Sequence, residues 1–215
     1  MTNNIRLVNE DLLNDREMLI LSRAVDHFLP QINTGWSVDS KQVHAPTDKE
    51  WKVVISDAKR HQGAAGYHTV ENGNPIAYCS PKASGRLFGT YHPPFVLRGK
   101  TLSGERFLPG LITTICHELA EMLMDPVVTN FSPKDAKGRS WLIEVADPVA
   151  FSYLHWTDPV TQTICVLPDV VLPPFYDLQG KAPFSLRQSI SAPFTLAPRG
   201  YAYWRDDKGL LHPVT

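Results

Sequence analysis

Residues 109–124, PGLITTICHELAEMLM, are the stretch that most restricts what this chain can become. Pro109 suits a first helical position, where its missing N–H is no loss, and Asp125-Pro126 supplies a stop. At about 100° per residue, Leu111, Ile112, Ile115, Leu119, Met122 and Leu123 fall in one stripe roughly 120° wide, which should face a core. His117 and Glu121 are four apart and therefore point the same way, on the side opposite that stripe. Thr114 and Asp125 share this polar side, and Glu118 stands at its edge, between the polar side and the core. Cys116 lies on the far flank and reads as a small buried hydrophobe.

An imidazole and a carboxylate one helical turn apart bring two heads to one point, and both bind divalent zinc at about 2.0–2.2 Å. The neighbouring Glu118 would then sit beside the ion. In HExxH metalloproteases that is the place of the general base, which takes a proton from water. Two ligands are too few. The segment WLIEVADPV, one loop past the helix, offers Glu144 and Asp147. Glu144 is favoured as the third ligand, with Asp147 accepting the second N–H of His117, or the reverse. His68 and His92 are candidates for a substrate groove or a further ligand, and His155, among aromatics, for packing. The plainer readings are that HELAE is a face of good helix formers and that Asp147-Pro148 is a turn.

The rest of the chain reads as one α+β domain. Its 215 residues suffice for a core without disulfides, and the three widely spaced cysteines form no framework for them. Asn14 or Asp15 caps a helix to about residue 29, with Met18, Leu21, Val25 and Phe28 on one face and Pro30 as its stop. Residues 36–38 and 51–56 read as strands, and Asn72-Gly73 marks a hairpin within 66–79. Residues 80–106, rich in proline, glycine and basic residues, read as a long surface excursion. Short strands follow at 141–147, 163–168 and 201–204, punctuated by prolines that argue against long helices. Strands and helices do not alternate regularly, which disfavours a doubly wound parallel sheet.

Charge and targeting narrow the function. Lys and Arg total 21 against 22 Asp and Glu, so nothing favours nucleic acid or an anionic membrane. No apolar run reaches the length of a membrane span. The polar start lacks the pattern of a signal peptide, which implies cytoplasmic synthesis.

Four ordered motifs carry a resemblance: GYH at 66–68, CHELAEMLMDP at 116–126, EVAD at 144–147 and SAPFTLAPRGY at 191–201. In this order they resemble a zincin-like (HExxE), metallopeptidase-type family of tailed bacteriophages and bacteria, over residues 64–204. Arg199 stands where that family usually has glycine and Ala146 where it has cysteine. The segment before the helix also looks longer. The resemblance implies a small twisted mixed sheet over an active-site helix, with a second helix behind.

Two functions follow as expectations. One is a metal-dependent hydrolase of peptidase type, with zinc or another divalent metal on His117, Glu121 and Glu144, Asp147 in support and Glu118 as base. Its peptide or protein substrate would lie along an edge strand, with 74–79 as the candidate. Replacing one imidazole of HExxH by a carboxylate weakens the Lewis acid and widens tolerance to Mn²⁺ or Ca²⁺. The alternative, which the resemblance implies, is a structural protein among other proteins of a phage particle, keeping the fold without catalysis.

Overall fold

A computed structural model describes residues 2–47, 49–57, 64–92, 95–97, 100–102 and 106–214, with the backbone alone over the described parts of 91–107. The fold is α+β, with three helices and several sheets.

Strand β1 (Asn3–Asn9) leads into helix α1 (Asp15–Trp36), which opens with a capping box between Asn14 and Glu17. The stop expected at Pro30 does not occur, and α1 runs on to Trp36 before Ser37 caps it in the left-handed region. A mid-helix proline costs about 3 kcal/mol. Here Phe28, Leu29 and Ile32 are all buried on both sides of it, so packing outweighs the lost bond. Residues 36–38, expected as a strand, are the last helical residue, its cap and the start of the following link, and the strand β2 comes later, at Ser40–Gln42.

β3 (Glu50–Ile55), β4 (Gly66–Glu71) and β5 (Asn74–Cys79) complete a five-stranded sheet in the order β2-β1-β3-β5-β4. β1 runs parallel to β2 and β3, and β3 parallel to β5, while β4 returns antiparallel through the Asn72-Gly73 turn. Both turn residues have positive φ, as a tight hairpin demands. The edge strands are therefore β2 and β4. β5, expected at the edge, is interior, because the hairpin folds outward from it. Side chains alternate: Ile5, Val53, Ile55, Ala77 and Cys79 join the main core, whereas Val54, Ile76 and Tyr78 form a smaller cluster on the other face.

A four-residue helix α2 (Pro81–Ser84) and two small antiparallel pairs follow. These are β6 (Thr90–His92) with β9 (Arg106–Leu108), and β7 (Phe95–Leu97) with β8 (Lys100–Leu102). The stretch read as a long surface excursion thus holds two short antiparallel strand pairs. Helix α3 (Leu111–Met124) starts with Gly110 as its cap, so Pro109 lies just outside it. Its core stripe packs on the sheet and on α1.

Beyond α3 the regular structure is short strands and 3-10 turns joined by long irregular stretches. β10 (Phe131–Lys134) and β11 (Ser140–Leu142) pair with β14 (Tyr203–Arg205) and β15 (Leu211–Pro213), and β12 (Tyr153–Thr157) pairs with β13 (Ile164–Pro168). The strand expected over 141–147 stops at Leu142, and Asp147–Val149 is a single 3-10 turn. This half is fastened to α1 by Trp36 Nε1, which donates to the Val171 carbonyl at 2.9 Å, and by a fork from Arg23 onto Asp158 at 2.8 and 2.7 Å. One continuous hydrophobic cluster includes residues from Ile5 to Ala202. Among the described residues, no helix is long and apolar enough to cross a membrane.

Candidate metal centre

The polar side of α3 is covered too. Glu118 is 7% exposed and Glu121 4%, although the polar side of the helix carries Glu121 and has Glu118 at its edge. Two elements cover them. β4 lies along one flank, where a Cβ on Gly66 would fall 2.7 Å from Glu118 Cγ and 2.8 Å from its Oε1. The irregular segment after β11 crosses the other flank, and its Ala146 N–H donates to Glu121 Oε1 at 3.3 Å.

That segment brings Asp147 to the helix. His117 Nε2 lies 3.2 Å from Asp147 Oδ1 and 3.3 Å from Glu121 Oε1, so one ring nitrogen faces two carboxylates at once. The turn that holds Asp147 is latched from the far C-terminal side. Tyr201 donates its backbone N–H to the Asp147 carbonyl at 3.0 Å, its hydroxyl lies where the Asp147 carboxylate charge acts on it, and Ala197 N–H reaches the Pro148 carbonyl at 2.9 Å.

Glu144 stands outside this triad. Its backbone carbonyl accepts from the Tyr176 hydroxyl at 3.4 Å, and its Oε2 is buried with no hydrogen-bond partner among the described residues. Burial, then the charge of Glu121, pushes its carboxyl up to about 9.

His68, on β4, is buried. Its Nδ1 lies 3.5 Å from Glu118 Oε2 and its Nε2 lies 3.1 Å from the Asp125 carbonyl oxygen. Ligand atoms of His68, Glu118 and Glu121 lie within 4.8 Å of one another, so Glu121 belongs to two adjoining sets of donors. Asp125 is fully buried and accepts from Thr129 N–H at 3.0 Å and Asn130 N–H at 2.8 Å, which makes it a cap for the chain leaving α3. The side chain of His92 lies outside the described residues. His155 is exposed on β12. Cys116 is buried, as are Cys79 and Cys165.

The electrostatics follow from crowding. Burial pulls the His117 pKa down, but Glu121 and the hydrogen bonds to Asp147 and Glu121 outweigh it and hold the ring well above its ordinary value. Burial pushes Glu121 up to about 8, with Asp147 and Glu118 adding to it against His117. For His68, too, burial acts downward and the bond to Glu118 and the charges of Glu144 and Glu118 win. Glu118, Glu121, Glu144 and Asp147 outnumber the two imidazoles, so without a cation the cluster must hold protons.

The donors fit a small divalent cation. Ligands about 2.1 Å from one ion at the tetrahedral angle stand about 3.4 Å apart, and His117 Nε2 keeps 3.2 and 3.3 Å from its two carboxylates. A cleft of about 350 Å³ opens over this corner, lined in part by Gly66, Thr114, His117, Glu118, Phe151 and Tyr201. Tyr201, Phe151 and Gly66 carried no assigned role in the sequence. Gly66 and Tyr201 do lie within the GYH and SAPFTLAPRGY motifs, a signal that named the positions but not their purpose.

No family model, no curated protein and no solved structure matches this chain.

Proposed function

We propose that the chain is a zincin-like, metal-dependent hydrolase of the peptidase type. His117, Glu121 and Asp147 would hold the ion and Glu118 would act as the base. The observation that carries this reading is the approach of one nitrogen, His117 Nε2, to carboxylates from two separate elements, with Glu118 beside them on the wall of an open cleft. The chemistry a divalent ion supplies in such a place is Lewis acidity toward a carbonyl and a water.

The chain's own residues do the rest. Tyr201 holds the Asp147 turn through its backbone N–H and so sets the direction of the third ligand. β4 runs antiparallel along the edge of its sheet, and its Gly66 lines the cleft, so an extended peptide can add to that edge with its carbonyl near Glu118. Glu118 accepts a proton from the attacking water and returns it to the leaving amine. Asp147 takes the ligand role first given to Glu144. Glu144 keeps a buried, unpaired oxygen behind the site.

Elemental analysis of the full chain tests the reading. About one equivalent of a transition metal is expected, lost in Glu121→Ala and kept in Glu118→Ala, with peptide cleavage abolished in both. A chain that takes up no ion after incubation with Zn²⁺ or Mn²⁺ would sink it. An ion bound without cleavage of any peptide would leave a metal-stabilised structural protein.

A further inference from the structure

Arg199 stands beside the cleft and takes no part in holding the ion. Its backbone has φ +70, in the left-handed region that glycine enters freely and a side chain enters at a cost. The turn around it imposes that conformation. Ala197 N–H donates to the Pro148 carbonyl at 2.9 Å, Gly200 N–H to the Ala197 carbonyl at 2.8 Å and Tyr201 N–H to the Asp147 carbonyl at 3.0 Å. A Cβ on Gly200 would fall 2.1 Å from the Pro148 oxygen, so this segment is pressed against the turn that carries Asp147. A glycine at 199 would meet the demand of the turn without cost, yet the chain holds an arginine there.

The guanidinium carbon of Arg199 lies 3.9 Å from the centre of the Phe151 ring. Phe151 lines the cleft and is 44% exposed, and Tyr201 lines it too. Stacking uses the flat face of a guanidinium. It leaves the N–H donors, which point outward in the plane, for a forked bond to a carboxylate. Among the described residues no hydrogen bond or ion pair engages those donors. The charge also reaches the cleft wall: burial pushes the Tyr153 hydroxyl up, and the charges of His117 and Arg199 draw it back. A second cavity, of about 320 Å³, adjoins the cleft through the shared residues Phe151 and Tyr153 and has Arg187 in its lining.

We propose that Arg199 is the specificity-determining residue of the cleft: it selects peptides that carry a glutamate or aspartate near the bond to be cut, on the Phe151 side, by forking onto that carboxylate. The inference rests on the cleft being the substrate site of a hydrolase. Phe151 fixes the plane of the guanidinium, and the pinned turn fixes where it starts. A carboxylate therefore meets a fork already set in direction. A glutamine of the same size loses the charge-assisted bonds, and a lysine is repelled.

Otherwise neutral octapeptides with one glutamate, moved position by position, and the same set with glutamine test it in the zinc-loaded full chain. At one position the ratio of kcat/KM for glutamate over glutamine is expected to reach at least about tenfold. The ratio should fall to near one in Arg199→Gln and in Arg199→Gly, and Arg199→Glu should prefer a lysine there. A wild-type chain that cuts the peptides and prefers glutamate nowhere would overturn the proposal. So would a preference that survives Arg199→Gln.

Two further readouts do not need cleavage. Fluorescence anisotropy of the same peptides, labelled, on Glu118→Gln should show tighter binding of glutamate than of glutamine at one position. The difference should vanish when Arg199→Gln is added. That pattern beside a wild-type chain that cuts none of the peptides supports the role of Arg199 and places the failure in the hydrolase reading. Equal binding of both sets overturns the proposal whatever the activity. Arg199→Gly should also melt no lower than wild type, since glycine suits the turn. A lower melting temperature with the preference intact would make the arginine a support for Phe151 and overturn its part in selection.

Discussion

Gly66 leaves to Glu118 the space that any other residue would fill: a Cβ there would fall 2.7 Å from Glu118 Cγ and 2.8 Å from its Oε1. Contacts that short force something to move, and the glutamate is the flexible partner. Gly66→Ala is therefore expected to retain metal and to lose most hydrolysis. Overpacking of this kind costs about 1–3 kcal/mol, which urea unfolding beside elemental analysis would read. Full activity in this variant would mean that the carboxylate position at β4 does not matter.

Asp147 and Glu144 should part company under substitution. Asp147→Asn is expected to weaken zinc binding at least about tenfold, since it removes a charge facing His117 Nε2 at 3.2 Å. Glu144→Gln should leave affinity nearly unchanged and alter the metal-free protein instead. The Glu144 carboxyl is raised from its ordinary value to about 9. A raised pKa means that its contribution to stability is full below about pH 4.5 and is lost as pH climbs toward 9. The melting temperature of Glu144→Gln should thus match wild type at pH 4 and exceed it increasingly between pH 5 and 9. The opposite trend would show that the charged form is stabilised.

Tyr201→Phe removes a hydroxyl on which the Asp147 carboxylate charge acts and spares the backbone bond to its carbonyl. Partners of this kind are worth about 10–100-fold in metal affinity. A competition titration with a chromophoric chelator should find that loss with the melting temperature of the metal-free chain nearly unmoved.

Asp158 gives the acid limb of stability. The Arg23 fork holds its carboxyl well below the usual range, against a smaller upward push from burial. A lowered pKa contributes stability that is present above about pH 4 and disappears as pH falls further. Asp158→Asn should flatten the loss of stability between pH 4 and 2 and lower the melting temperature at pH 7. An unchanged acid limb would assign acid unfolding to other carboxylates.

The periodicity of α3 made its core stripe readable, because one face of a helix is written in every third or fourth residue. The burial of Glu118 and Glu121 was not readable, since it depends on β4 and residues 143–149, far off in sequence, arriving on the polar side. Asn72-Gly73 announced its hairpin through local φ demands, but which of its strands would be the edge is a matter of pairing with β3. Pro30 misled because a local cost was outweighed by packing on both sides of it. Glu144 and Asp147 are near neighbours, and only the break in extended structure after Leu142 decides which of them turns toward His117.

The latch from Tyr201 onto Asp147 has a meaning in time. A chain made from its N-terminus releases α3 early, with His117 and its acids bare, while the loop that supplies Asp147 is pinned only after residue 201 has left the ribosome. If the chain cuts peptides, it is harmless while it is being made, because its own topology defers assembly of the centre until the fold around it is nearly finished.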